Sequence, residues 1–286
     1  MKFAFIRDHL TAYPVEVSCR VLEVSRAGYY AWRDRPASLR QARHQVLAAR
    51  IAVAHQENRC VYGSPRICRT LQAAGAQACE NTVAKVMREL GLCARKKKKF
   101  VPRTTDSRHD HPVARNLLDR QFTAEKPNAK WVVDITYIPT DEGWLYLAGV
   151  MDLYSRKIVG WSMTDHMQWQ LVGDALEMAL TQRHPPEGLL HHSDRGVQYA
   201  CDDYRKLLAD AGMDLSMSHQ GDCWDNAVME SFWSTLKTEE VHHRHYATRA
   251  EARASIFEYI EVFYNRQRLH SALGYQSPEM FEAGLI

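Results

Sequence analysis

Asp225-Asn226-Ala227-Val228-Met229-Glu230-Ser231-Phe232-Trp233-Ser234-Thr235-Leu236-Lys237 sorts its residues by face when wound as a helix. At about 100° per residue, Asn226, Glu230, Ser234 and Lys237 fall on one narrow stripe, while Met229, Phe232, Trp233 and Leu236 gather on another. One face packs; the other presents a carboxylate and an ammonium. Asp225 stands where its carboxylate would cap the first turn. Taken alone, the pattern also suits an ordinary surface helix with a solvated Glu230, so its meaning depends on what the fold brings to that face.

Two upstream aspartates are candidates. Residues 131–138, WVVDITYI, are rich in the β-branched and aromatic residues of a strand, and Asp134 interrupts them. Residues 189–196, LLHHSDRG, read as a short strand running into a Gly-containing turn, which puts Asp194 at the strand's carboxyl end. Loops at such ends are where α/β proteins keep their sites. Thirty-five residues separate Asp194 from Glu230, and Lys237 follows Glu230 by seven. Further strands are expected at 144–152, 157–163 and 214–218, with helices at 171–183 and 202–212, so that alternating strand and helix fill the chain from about 125. Asp152 lies on the second of these strands, where it is read as capping the turn at Tyr154-Ser155. His192, beside Asp194, and Asn226, on the face of Glu230, are supporting candidates that could orient a ligand or touch phosphate.

The front of the chain differs in kind. Residues 1–130 hold 25 Lys/Arg against 11 Asp/Glu, whereas 131–286 hold 12 against 23, so a net charge of +3 conceals a basic front and an acidic back. A front of that sign is an electrostatic footprint for polyanions. Residues 1–36 suggest short helices, at 15–22 and, capped by Ser25, at 26–32. Residues 41–94 suggest a three-helix unit: Val46, Leu47, Ile51 and Ala54 stripe the first helix, Ser64-Pro65 opens the second, and Asn81 caps a third over 82–90. Lys85 and Arg88 lie on that third helix's outer face, as a helix entering a major groove requires; a bundle for self-association is the other reading. Arg95, Lys96, Lys97, Lys98 and Lys99 then open a polar segment, 95–124, read as a basic linker that binds phosphate without sequence preference.

Composition excludes other classes. With 286 residues and 45% hydrophobic content the chain buries a real core. Its first residues lack a signal peptide's apolar run, and no stretch reaches transmembrane length, which implies a cytoplasmic protein. Seven scattered cysteines without a Cys-x-x-Cys pair point to reduced thiols rather than disulfides or zinc.

Four ordered blocks, WVVDITY (131–137), HSDRGVQY (192–199), DNAVMESFWSTLK (225–237) and YNRQRLHSALGYQSP (264–278), resemble the DDE transposases and integrases, and among them the OrfB proteins of IS-three-type bacterial insertion sequences. The resemblance implies an RNase H-like core over 125–286, a mixed five-stranded sheet flanked by helices and ending in a helical tail, preceded by an all-α helix-turn-helix DNA-binding region. It implies Asp134, Asp194 and Glu230 as a catalytic triad holding two Mg²⁺ or Mn²⁺ ions, with Lys237 gripping the element's end. The tail would offer Arg268 and His270 to the site or to DNA, a structural latch being the alternative. Implied partners are double-stranded DNA at terminal inverted repeats and target, further copies of the chain assembled on that DNA, and OrfA, alone or as an OrfA-OrfB frameshift fusion. Where relatives carry basic residues after Ser218, this chain has His219-Gln220.

The chemistry explains the residue types. Cleavage and strand transfer are in-line displacements at phosphorus, and two divalent ions about 3.5–4 Å apart neutralise the attacking and leaving oxygens. Hard carboxylate ligands suit Mg²⁺ or Mn²⁺; without a cation they repel, raising at least one pKa. A nuclease on the same core without strand joining, and a non-enzymatic DNA-binding repressor that needs only the basic front, are the rival readings.

Overall fold

The computed structural model describes residues 1–36, 38–95, 113–219 and 223–284, with positions 223 and 224 described by backbone alone. Lys96, Lys97, Lys98 and Lys99, and most of the segment read as a linker, lie outside the described residues.

Three short helices open the chain, α1 (Lys2–His9), α2 (Val15–Val21) and α3 (Arg26–Arg33). Ser25 caps α3, accepting from Gly28 N over 2.8 Å. Ile6, Cys19 and Tyr29 form their small core, with Phe3 and Trp32 packed against it. The next unit is α4 (Leu39–Glu57), α5 (Ser64–Ala73) and α6 (Glu80–Glu89). Ile51, Ala54, Ile67, Leu71, Val83, Val86 and Met87 meet at its centre, but Val46 is exposed and not part of the stripe. Helix α6 begins two residues earlier than expected, after Cys79, and Asn81 is within it.

The sheet comprises β1 (Lys130–Thr140), β2 (Gly143–Asp152), β3 (Ile158–Thr164), β4 (Leu190–Ser193) and β5 (Asp214–Met217), in the order β3-β2-β1-β4-β5. β1, β2 and β3 form an antiparallel meander. β4 runs parallel to β1, and β5 parallel to β4. The intervening helices α7 (Trp169–Arg183), α8 (Val197–Ala200) and α9 (Asp202–Asp210) supply the long crossovers that parallel pairing needs. This is the mixed sheet the RNase H-like reading requires.

Alternation along β1 and β2 builds two cores. Trp131, Val133, Ala148 and Val150 face α7, where Leu171, Ala175 and Ala179 lie. Helix α7 presses so closely on β3 that a Cβ at Gly160 would stand 2.2 Å from the Ala175 carbonyl oxygen, which only glycine avoids. On the opposite face Val132, Ile138, Leu145, Leu147 and Met151 meet α10 (Ala227–Glu239) and α11 (Arg249–Phe257). That second core runs without a break into α4–α6, so the helical unit and the sheet share buried side chains. Arg59 is paired with Glu240 and Glu258, and Tyr62 and Arg66 hydrogen-bond the tail at Leu269.

The helical tail is not one uniform helix. Instead α11 widens into a π segment over Glu258–Tyr264. Beyond it Asn265 reaches across to both the N–H and the carbonyl of Ile158, at 3.0 and 2.9 Å. The stripe of Ile256, Tyr259, Ile260 and Phe263 is nonetheless buried. A last helix, α12 (Pro278–Glu282), places Glu282 against Arg183 and Ser155. Among the described residues no helix is long and apolar enough to cross a membrane.

Candidate active site

Asp134 sits in the middle of β1, not at its end. Its neighbour β4 pairs with β1 only as far as Val132, opposite His192. Because both strands run the same way, two further residues along each bring Asp194 beside Asp134, on the same face by the period of two. Past that point β4 has left the sheet, opening a crevice at its carboxyl end. Asp194 Oδ1 accepts from Gly196 N over 2.9 Å, which bends the chain away into α8. Burial, then the charge of Asp194, then more weakly that of Glu230, push the Asp134 carboxyl up to about 8.

Helix α10 brings the third carboxylate. At its start the Asn226 side chain donates to the Val133 carbonyl over 3.0 Å, and two turns later Trp233 Nε1 donates to Asp134 Oδ2, also over 3.0 Å. Glu230 lies between these two anchors on the same stripe, four residues after one and three before the other. Two bonds to consecutive residues of β1 therefore fix the helix face that carries it. Glu230 itself is exposed, and partial burial raises its pKa. The indole of Trp233 has room because Gly149, cross-strand from Asp134, lacks a side chain: a Cβ there would lie 2.9 Å from the ring. Trp233 reads in the sequence as a packing residue, and it packs, but its N–H is turned on Asp134. The signal was its place at the border of the two stripes. Lys237, one turn further on, holds its ammonium 4.7 Å from the centroid of the Tyr137 ring, where desolvation lowers its pKa and Asp134 opposes that.

Asp225 does not cap α10; Asn226 occupies the cap position. The Asp225 carboxylate instead accepts from Asn116, Arg120 and both the main chain and ring of His219, at 2.8 to 3.0 Å. Burial would raise its pKa, but those donors outweigh burial and hold it down to about 2. It is a latch that seats the short 3-10 segment Cys223–Asn226 in front of the catalytic-candidate helix. Asp152 accepts from the N–H groups of Asn128 and Tyr154 and pairs with Arg183, away from the crevice.

Of the other candidates, His192, Arg268 and Arg95 are engaged within the fold, whereas Lys85 and Arg88 lie on the outer face of α6 as the sequence reading has them. His192 is buried with both ring nitrogens engaged by Ser216 and Ser218, so it ties β4 to β5. Arg268 is buried in a two-pronged pair with Glu239, at 2.8 and 2.6 Å, and is not offered to DNA. His270 lies half-buried behind it, kept neutral because burial and then Arg268, Arg66 and Arg156 lower its pKa. Arg95 donates to the main-chain carbonyl of Glu239. Lys85 and Arg88 are exposed on α6, with Lys85 3.9 Å from Glu89.

The donor set suits a hard divalent cation. Burial beside other carboxylates raises the Asp134 pKa, and an added positive charge relieves that penalty. Among the described residues no three His, Cys, Asp or Glu side chains already stand close enough to hold one ion together. Asp134 and Asp194 are adjacent through the sheet, and Glu230 has an exposed side chain on a helix anchored beside them.

Comparison with known proteins gives consistent results. A family model described as an integrase core domain matches residues 124–223, and a second of the same description matches 211–278. An HTH-like domain model matches 41–100. The chain is 47% identical over 263 residues to the insertion element IS600 uncharacterized 31 kDa protein of Shigella sonnei, covering 92% of this chain and 96% of that one. It is 44% identical over 284 residues to transposase InsF for insertion sequence IS3A of Escherichia coli strain K12, covering 99% and 98%. Among solved structures, a chain of the simian T-cell lymphotropic virus intasome in complex with PP2A regulatory subunit B56 gamma covers 81% of this chain and 74% of its own, with 13% identity and a TM-score of 0.47.

Proposed function

The chain belongs to the insertion-sequence transposases that carry an integrase core domain, and on that premise we propose that it cleaves one DNA strand at each end of its element and transfers the freed 3′-hydroxyl to target DNA, using Asp134, Asp194 and Glu230. The observation that carries this assignment is the convergence of parallel β1 and β4 on one crevice, with α10 anchored to β1 on both sides of Glu230.

Held by these carboxylates, a pair of divalent ions, Mg²⁺ or Mn²⁺, would neutralise charge on the attacking and leaving oxygens. The chain's own residues do the rest. Trp233 and the N–H of Ile135 orient the two oxygens of Asp134. Lys237, held against Tyr137 one turn beyond the site, is positioned to meet a phosphate of the element's terminal DNA. Phosphoryl transfer in this mode requires positioning and charge neutralisation and no protein nucleophile.

The exposed face of α6, with Lys85 and Arg88, and the basic run Lys96, Lys97, Lys98 and Lys99 belong to recognition of double-stranded DNA at the inverted repeats. Both ends must be held at once, so several copies of the chain act together on DNA, with OrfA or an OrfA-OrfB fusion supplying the remaining contacts. Labelled end DNA, target DNA and Mg²⁺ supply the test. Glu230→Gln is expected to lose cleavage and joining by at least 100-fold (~3 kcal/mol) while retaining DNA binding. A variant that still cuts and joins at the wild-type rate contradicts the assignment. Cleavage without joining by the wild type identifies a nuclease instead.

A further inference from the structure

On the side of α10 turned away from Glu230 lies a cleft of about 340 Å³ that the chemistry above does not use. Three parts of the chain meet there: Arg66 from α5, Arg156 from the β2–β3 turn, and Arg268 with His270 from the tail, and Ser231 and Thr235 of α10 add hydroxyls. Its volume is that of a small ligand pocket.

The charges in this cleft do not balance. Glu239 is the carboxylate beside it, and it is already engaged on both oxygens by Arg268 and by the Tyr259 hydroxyl. Arg66 spends Nε on the Leu269 carbonyl, and Arg156 spends Nη2 on the Phe122 carbonyl. Among the described residues neither guanidinium has an acidic partner within 4.0 Å. The other end of Arg156, Nη1, is buried and finds no hydrogen-bond partner among the described residues, and the same holds for His270 Nε2. Buried polar groups are almost always hydrogen-bonded, and an uncompensated buried cation is costlier still.

We propose that this cleft binds a phosphate group. The forks of two guanidiniums, a neutral imidazole and two hydroxyls approach from separate chain segments, which suits a tetrahedral oxyanion with several acceptors better than a planar, two-oxygen carboxylate. The ligand would tie the helical unit, the sheet and the tail to the back of the helix whose front carries Glu230. The site stands apart from the catalytic assignment, because Ser231 and Thr235 of its lining lie on the side of α10 away from Glu230.

The probe is inorganic phosphate, followed by ³¹P line broadening with the full chain at constant ionic strength in chloride. Wild type is expected to broaden the line saturably. Arg156→Gln and Arg66→Gln, checked for folding by circular dichroism, should each bind at least 10-fold more weakly, and Glu230→Gln should bind as wild type does even where it fails to cut DNA. A second arm identifies the source of the phosphate. If it belongs to a DNA backbone, phosphate competes with a short end duplex, and each arginine variant lowers the slope of log affinity against log salt by about one. If it is free phosphate, the variants lose phosphate binding with duplex affinity and slope unchanged. Should Arg156→Gln fail to fold, Arg66→Gln and the wild-type titration decide. Absence of saturable phosphate binding by wild type, together with wild-type duplex affinity and slope in a folded arginine variant, overturns the proposal.

Discussion

Replacing Trp233 with Phe separates the packing of this residue from its hold on Asp134. The indole is 6% exposed, rests on Gly149 and donates to Asp134 Oδ2 over 3.0 Å. Phenylalanine keeps an aromatic ring in that place and removes the donor. A hydrogen bond to a charged group is worth roughly 1.5–3 kcal/mol, and one pKa unit is about 1.4 kcal/mol. The Asp134 carboxyl, already pushed up to about 8 by burial and by Asp194, should therefore rise by a further one to two units, on the order of the hydrogen bond lost. A divalent ion must displace that proton to bind. The Mg²⁺ concentration giving half-maximal cleavage of labelled end DNA near neutral pH should thus increase about 10- to 100-fold, and the defect should shrink as pH is raised. A folded Trp233→Phe variant with the wild-type Mg²⁺ dependence would refute the role given to the indole N–H. So would a defect that is the same at every pH.

Gly160→Ala should destabilise the protein by about 1–3 kcal/mol or more, because its Cβ would stand 2.2 Å from the Ala175 carbonyl; an unchanged urea midpoint would mean that α7 is not seated as described. In metal-free buffer the raised pKa of Asp134, from 3.8 to about 8, contributes stability that is present at acid pH and lost as pH rises through that interval. The melting temperature of wild type should therefore fall relative to Asp134→Asn between about pH 5 and pH 8, and added Mg²⁺ should close the gap. Buried His191 and His192 and half-buried His270, lowered from 6.5 to about 3, about 4 and about 2, act in the opposite direction, losing stability as pH falls below 6.5; they are common to both proteins and cancel in the comparison. Arg268→Met leaves Glu239 buried without its partner and should cost about 3–5 kcal/mol, much of it recovered in the double variant with Glu239→Gln, as chemical denaturation of the four proteins would measure.

The order of strands and helices was legible because alternation and turn residues are local signals, and 131–138, 144–152 and 171–183 carry them strongly. The adjacency of Asp134 and Asp194 is a different kind of fact. It follows from parallel register between segments sixty residues apart, which residue spacing suggests only through resemblance. Helix α1 was not marked because its sequence, KFAFIRDH, carries no clear stripe, and its burial depends on Cys19 and Tyr29 arriving from elsewhere. Asp225 has a capping residue's place in the sequence, but Asn116, Arg120 and His219 compete for its carboxylate and win by number. For Arg268 the sequence leaves contact with the site or DNA and a structural latch both open, and only Glu239, from the far end of α10, decides for the latch. In each case the missing information was a partner distant in the chain, which local propensity does not contain.

Three carboxylates from separate segments serving one divalent-metal centre is the central claim. It is tested most directly by anomalous scattering from crystals of the full chain grown with Mn²⁺. The expected result is a manganese peak bonded to Asp134 and Asp194, with the Glu230 side chain turned in to complete the site, and loss of that peak in Glu230→Gln or Asp194→Asn. Manganese bound elsewhere, or held at the crevice unchanged in both variants, would contradict it.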